Sequence, residues 1–587
     1  METTIRKLFS DQDRRYQIPT YQRSYSWEKA HITEFIQDLK DAKNDYYLGH
    51  FLFEIDESLK IKSRKIQTWL IIDGQQRLTT CLIFFSALLK ELRMRQNKGE
   101  VVSLDLDDLA NHYLRDSRKM IQRLETVADD NNFFTATVID CNGNGATMPA
   151  TKSQERMLEA LDFFQKSFEK QAVDELERWH DLISGANCTQ YCVSDKVAAA
   201  RIFAFQNDRG KPLSDLEILK SYFMLQVYLN GGDHELVSEH LRFVENEIST
   251  IYRQVVRVKL GEDDVLRYCW QACEDSPGLD SRKTVNEIKD YISRGPTDMI
   301  CARIRKFMAD LAESFRIVES IESSSLPAIV HLRYLDNMAI SYPFLIKARL
   351  NGATEEDAGR LARMLENITF RSLLRGGRAG IESRLNVYLT QTADPGYVGA
   401  VVSGMVNDLH TNGWWQYWSD KIMLELLNTG YFYQNRVDNY VLWRYEMDLC
   451  VESGYPPSLK VGYWELLRNE SIEHIAPRTE TAGGSIAAGY GAYSDAENPE
   501  VGIESGEWMN CLGNLLLISK AHNSSIGNKP FQTKLTSYGK DNLLAQQKKV
   551  VDFVDDPNQP IWNVAAISKR KKHILETAKR LWNLDDI

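Results

Sequence analysis

The sequence has no long apolar run. Its most apolar stretch, around Cys81 to Leu89, is too short to span a bilayer. No apolar signal core opens the chain. Membrane insertion is therefore not expected. Dense cysteine patterning is also missing. Nine Cys are spread over 587 residues. Cys188/Cys192 and Cys269/Cys273 stand four apart, which is neither a zinc-ribbon nor a redox CxxC spacing. Reduced thiols in a cytoplasmic protein are the expectation. A positive balance is missing as well. The formal net charge is -11, so any contact with nucleic acid must use local basic patches. Lys62, Arg64 and Lys65 form one such run, and Lys569 to Lys572 another.

What is present suits a globular chain with full cores. Hydrophobic residues make up 43% and charged residues 26%. The length suggests about three domains at roughly 100 to 200 residues each. Short β-prone runs at Phe51 to Ile55 and Trp69 to Ile72 precede an apolar helix over Leu78 to Leu92. From about 150 to 450 the periodicity is mostly helical, as in Arg156 to Lys170 and Leu213 to Leu229. Breaks fall at Cys141 to Pro149, Ser323 to Leu326 and Gly376 to Gly380. Thr481 to Tyr493, rich in Gly, Ala and Ser, reads as a flexible insertion outside the core. Gly513 to Ser519 is a short apolar run, and Ser568 to Trp582 a closing helix. The fold class expected is α+β, mostly α. The regions are 1–235, a mixed domain; 236–430, a helical middle; and 431–587, a C-terminal domain.

Three C-terminal pieces fit one chemistry: Ser-Ile-Glu-His-Ile-Ala-Pro (471–477), Leu-Gly-Asn-Leu-Leu-Leu (512–517), and His-Asn-Ser-Ser-Ile-Gly-Asn-Lys-Pro-Phe (522–531). Neighbouring residues on a strand point to opposite sides, so Glu473 can bind a metal while His474 faces a water. A positioned His that takes a proton from that water contributes about 10²- to 10⁴-fold in rate. Asn523 offers a hard oxygen suited to Mg²⁺, which would neutralise the phosphoryl oxygens. Asn514 would sit on the returning strand and hold the His474 backbone or ring. The pattern resembles the ββα-metal HNH nucleases. Glu473-His474 matches their acidic-His pair, and Pro477 the proline three residues on. Asn514 and Asn523, nine apart, match the second and third letters. The gap from His474 to Asn514 is longer than in minimal motifs, and the Gly-rich insertion accounts for it.

A second constellation lies near the N-terminus. Ile-Pro-Thr-Tyr-Gln-Arg-Ser-Tyr-Ser-Trp (18–27) is followed by Tyr-Leu-Gly-His (47–50). Ile-Asp-Gly-Gln-Gln-Arg-Leu-Thr-Thr (72–80) then reads as strand, tight turn and helix start. Free N–H groups at a helix N-terminus bind phosphate, so Gly74, Gln75 and Gln76 are candidate nucleotide contacts. Arg77 adds a bidentate fork. Asp73 would hold Mg²⁺ or orient a water, with Gln22 and Arg23 closing the site. Tyr21, Tyr25 and Trp27 would stack on a base or line an apolar pocket.

These blocks resemble the N-terminal domain of GmrSD-type proteins, which is ParB/sulfiredoxin-like. The likeness continues through Phe203 to Lys220, where Asn207, Arg209 and Lys220 would face the same pocket. The C-terminal block resembles the nuclease domain of the same family, through Gly513-Asn514-Leu515, Asn523, Asn528, Phe531 and Lys534. The resemblance implies a type IV restriction enzyme, with a GmrS-like domain over 1–235 that binds and hydrolyses a nucleoside triphosphate (GTP, UTP or ATP). It also implies a GmrD-like nuclease domain over 431–587 that cuts double-stranded DNA with Mg²⁺. The DNA would carry a phosphorothioate, as for SspE-type relatives, or a glucosylated base. Two other readings stay open. One is a nucleotide-dependent DNA-binding regulator with a vestigial nuclease, and the other a nuclease toxin acting on unmodified nucleic acid. Arg371, Arg375, Arg378 and Arg384 in the helical middle would meet DNA or only solvent. The oligomeric state, a homo-oligomer included, stays open too.

Overall fold

The computed structural model describes residues 2–11, 13–42, 46–56, 66–116, 121–140, 148–193, 214–335, 337–377, 380–392, 396–452, 471–494, 502–504, 507–539 and 544–585. Lys62, Arg64, Lys65, Cys141, Asn207, Arg209 and Arg378 lie outside these, as does most of the loop expected at Cys141 to Pro149. The chain is α+β and mostly helical. It gathers into two compact units, 1–267 with 283–319, and 268–282 with 320–587. The helical middle, 236–430, is thus shared between the two.

The N-terminal unit is built on a six-stranded mixed sheet. Its strands are β1 (Glu2–Thr4), β2 (Arg14–Gln17), β3 (Tyr47–Asp56), β4 (Gln67–Asp73), β7 (Leu124–Glu125) and β8 (Asn187–Val193). Their order is β1-β8-β3-β4-β2-β7. β5 (Arg115–Asp116) and β6 (Ile121–Gln122) form a separate small ribbon. β3 and β4 hold the runs that were β-prone in sequence. The apolar stretch after them becomes the helix Gln75–Asn97, which starts earlier than the periodicity predicts. Leu78, Cys81 to Phe85 and Ala87 to Leu89 are all buried. A helix apolar on nearly every side must be enclosed. The helices Lys152–Phe168 and Val173–Ser184 pack against it, with Phe35, Phe84, Phe164 and Phe168 edge to face or stacked.

In the C-terminal unit, β9 (Ser471–His474) and β10 (Leu515–Ile518) pair antiparallel, His474 opposite Leu515. Alternation sends Leu515 and Leu517 into one core and Leu516 and Ile518 into a second. Burial on both faces explains the unbroken Leu-Leu-Leu-Ile run. The helices Lys520–Ile526 and Phe531–Tyr538 follow, and Val564–Leu581 closes the unit.

Two expectations are corrected here. Thr481 to Tyr493 is not a flexible excursion, because it is woven into the second core. Ala488, Tyr490 and Tyr493 are buried there. Gly491 N donates to Trp562 O (3.1 Å), Trp562 N to Gly489 O (2.9 Å), and Phe531 N to Ala488 O (2.8 Å). Small residues permit that close backbone approach. Nor is Lys569 to Lys572 a free basic patch. Helical periodicity turns Arg570 and Lys571 inward, leaving Lys569 and Lys572 outside against Asp555 and Glu576.

Candidate active site

His474 ends β9 and is buried, 6% exposed. Its ring packs edge to face on Tyr433, centroids 4.6 Å apart. Nε2 lies 3.1 Å from Asn510 Oδ1. With that oxygen accepting, Nε2 carries the ring proton and Nδ1 keeps its lone pair. Burial, helped by the cations Arg478 and Lys534, pushes the ring's pKa down to about 4 despite the Asn510 bond. The imidazole is therefore neutral at pH 7, the form a general base needs.

Asn514 is the residue that fixes the turn after His474. It is fully buried, in the short 3₁₀ turn Leu512–Asn514 rather than on the returning strand. Its Oδ1 accepts from Ala476 N (2.8 Å) and Trp562 Nε1 (3.0 Å). Its Nδ2 donates to Ala476 O (3.0 Å) and Met509 O (2.9 Å). Asn514 holds the two residues after His474 rather than the His474 backbone or ring: its own carbonyl accepts from Ile475 N (2.9 Å), while Asn510 holds the ring. Arg570 ties the same segment to the closing helix through the carbonyls of Leu512, Gly513 and Leu515. Gly513 is required by this packing, since a Cβ there would lie 2.2 Å from Ile567 O.

Glu473 points away from His474, as strand alternation dictates. Its carboxylate accepts from buried Lys534, whose Nζ also donates to His474 O and Ile475 O (3.1 Å each). Burial raises the Glu473 pKa and lowers that of Lys534. A carboxylate neutralised in this way does not fit as a Mg²⁺ ligand where it stands. Asn523, half-buried on the helix Lys520–Ile526, offers one neutral oxygen. Among the described residues no group of three or more His, Cys, Asp or Glu could hold a metal ion. Sequence reasoning missed Tyr433, Arg478 and Asn510. Arg478 is exposed directly after Pro477, the end of the signalled segment, with its guanidinium 5.4 Å from the Tyr433 ring.

In the N-terminal unit the structure brings the two sequence blocks together. Gln22 Nε2 donates to Ile72 O (2.9 Å). Gln76 accepts from Ser26 N (2.8 Å) and donates to Ser24 O (3.2 Å). Gly74 caps the helix Gln75–Asn97 at φ +95°, and a Cβ there would sit 2.4 Å from Phe51 Cδ1. Only glycine meets both demands. Arg77 is half-buried against Asp73 (3.5 Å) and Leu48 O (3.4 Å). Gln75 is buried, and its Oε1 has no partner among the described residues. A helix N-terminus with an orphaned amide oxygen and an adjacent arginine fits a nucleotide's phosphate and hydroxyl groups.

Lys220 joins this cluster, fully enclosed, donating to Tyr21 O (3.3 Å) and Gln22 Oε1 (3.2 Å). Burial pushes its pKa down to about 8. Arg23 pairs with Glu217 (3.1 Å) rather than opening toward a ligand. The stacking expectation changes for two of three aromatics. Tyr25 is a core residue with its hydroxyl on Thr80 Oγ1 (2.9 Å), and Tyr21 is buried, its ring 5.9 Å from Lys220 Nζ. Neither offers a free face. Trp27 is half-buried on His31 and lines a cavity of about 710 Å³ with Lys29, Lys152, Arg156 and Phe163.

No described helix is long and apolar enough to cross a membrane, and the eight described cysteines are free, six of them buried. No curated protein matches the chain. Two family models do: the N-terminal domain of GmrSD restriction endonucleases over residues 5–224, and their C-terminal domain over 417–577. The first spans the sheet with its Asp-Gly-Gln-Gln-Arg turn, and the second spans His474, Asn514 and Asn523. The chain belongs to the GmrSD family of type IV restriction endonucleases, nucleases of phage defence whose substrate is DNA.

Proposed function

We propose that the C-terminal unit is an HNH-type hydrolase of DNA phosphodiesters with His474 as general base. The observation that carries this is the state of the ring: buried, held at Nε2 by Asn510, kept neutral, with Nδ1 unpartnered among the described residues. Nδ1 takes the proton of the attacking water. Exposed Arg478, steadied on Tyr433, meets the phosphate. Asn514 keeps the turn in register. A divalent cation, Mg²⁺ on the family resemblance, would neutralise charge on the phosphoryl group when bound. Asn523 is the donor at hand, and Glu473 joins only if it leaves Lys534.

The proposal extends to the N-terminal unit. The Gly74 turn, Gln75, Gln76 and Arg77 bind a nucleoside triphosphate, and its turnover or the sensing of a modified phosphate or base licenses cutting. The Gln22–Ile72 and Gln76–Ser24 bonds support this by placing both motifs at one helix start. A cleavage screen tests the whole reading. Phage DNAs with phosphorothioate, glucosylated or plain chemistry are incubated with each triphosphate and with Mg²⁺, Mn²⁺ or Ni²⁺. Cutting restricted to one modified class is expected. Equal cutting of plain DNA would instead favour an unselective nuclease, and none by any combination would favour a regulator.

A further inference from the structure

Arg375, Arg384, Arg436 and Arg478 of the C-terminal unit form no salt bridge with a carboxylate among the described residues. Arg333, Arg349 and Arg570 are also without one, but they donate to backbone carbonyls. Arg371 pairs with Asp420 (2.6 Å) and Arg444 with Glu366 (2.7 Å). Arg384 is the sharpest case. It is 4% exposed, yet its Nε and Nη1 have no hydrogen-bond partner among the described residues. Three rings surround its guanidinium, Trp418 at 4.4 Å, Trp414 at 4.9 Å and Tyr417 at 5.7 Å. Burial lowers its pKa. A charged donor left unmatched under aromatic faces is costly unless a ligand supplies an acceptor.

The faces above it are open. Trp414 is 56% exposed and Tyr417 48%. Arg375 extends the group, its guanidinium 4.7 Å from the Tyr417 ring. It follows the helix Glu355–Leu374, whose last carbonyl accepts from Asn435 Nδ2 (3.3 Å). Exposed Arg436 comes next, its Nη1 3.4 Å from where a Gly377 Cβ would stand. Three residues before Arg436 is Tyr433, which carries Arg478 and touches His474. Cations and aromatics thus alternate from the proposed base to the Trp414 faces.

We propose that this strip, from Arg478 through Arg436 to Arg375, Arg384 and Trp414, binds the DNA that flanks the cleaved bond. The arginines take phosphates and Trp414 takes a base or sugar face. The proposal rests on the nuclease reading of His474, which supplies one end of the strip. DNA is the occupant by charge complementarity, since the acceptors missing from the protein are what a phosphodiester chain offers in series.

The test uses the full chain carrying His474→Ala, in EDTA, with a fluorescein-labelled duplex. Anisotropy is read from 50 to 200 mM NaCl. The double variant Arg375→Ala/Arg436→Ala should weaken binding and flatten the slope of log affinity against log salt by about 1.8, about 0.9 for each phosphate contact. Trp414→Ala should weaken binding with the slope unchanged. On the wild-type His474 background both should raise KM for cleavage more than they lower kcat. Unchanged affinity and slope in the double variant, with cutting intact, would remove the strip and leave the nuclease reading standing. Lost binding alongside a wild type that never cuts would do the opposite. If Trp414→Ala alters only the mass seen by light scattering, the face serves a second copy and the proposal fails.

Discussion

The state of His474 can be measured without knowing the DNA substrate. Burial holds its pKa at about 4 against an ordinary 6.5. At pH 5 the native ring would be about 91% neutral, against about 3% for an exposed histidine. The protein labelled with ¹³Cε1-histidine should show, beside that of buried His331, a resonance that stays neutral from pH 8 to about 5 and disappears in His474→Gln. Stability follows with a definite sign. The unfolded ring takes its proton near pH 6.5 and the native ring only near 4. The native state therefore loses stability as pH falls from 6.5 to 4 and loses no more from this group below that. The loss amounts to about 3 kcal/mol, at about 1.4 for each tenfold in proton affinity. Urea melts of the wild type and His474→Gln at pH 7 and 5 would show it, since the variant should lose less. A resonance titrating at 6.5 would mean the ring is solvated and the burial argument wrong.

Further outcomes follow from neighbouring contacts. Asn514→Ala strips four buried hydrogen bonds and leaves Trp562 Nε1 and the Ala476 backbone unmatched. A loss of about 3 kcal/mol or more is expected in chemical denaturation. Lys534→Met leaves Glu473 buried and unpaired, which should cost about 3 to 5 kcal/mol. Adding Glu473→Leu should restore most of it, and a cycle without recovery would show that the pair is not the reason. Arg77→Ala and Asp73→Ala should each lower triphosphate hydrolysis; unchanged turnover in both would remove that site.

Sequence reading was strongest where one residue's chemistry and spacing carried the signal. The β-prone runs became β3 and β4, and the Asp-Gly turn opened a helix because Gly74 alone tolerates φ +95° against Phe51. His474 and Asn523 fell on a strand and a helix, whereas Asn514, expected on the returning strand, closes the 3₁₀ turn just before it. What escaped depends on contacts across sequence distance. Asn510 touches the His474 ring across 36 residues and Tyr433 across 41, with no local pattern to mark either. Glu473 looked like a ligand until Lys534, 61 residues on, was seen to hold it. The Gly-rich stretch read as loose because small residues signal mobility in sequence, whereas here they allow backbone to lie against Trp562.

Nicking of supercoiled DNA from a susceptible phage by the wild type and His474→Ala, matched for folding by circular dichroism, tests whether His474 is the general base. With His474 as general base, the variant should be slower by about 10²- to 10⁴-fold with DNA affinity unchanged. Equal rates in the two proteins would contradict it.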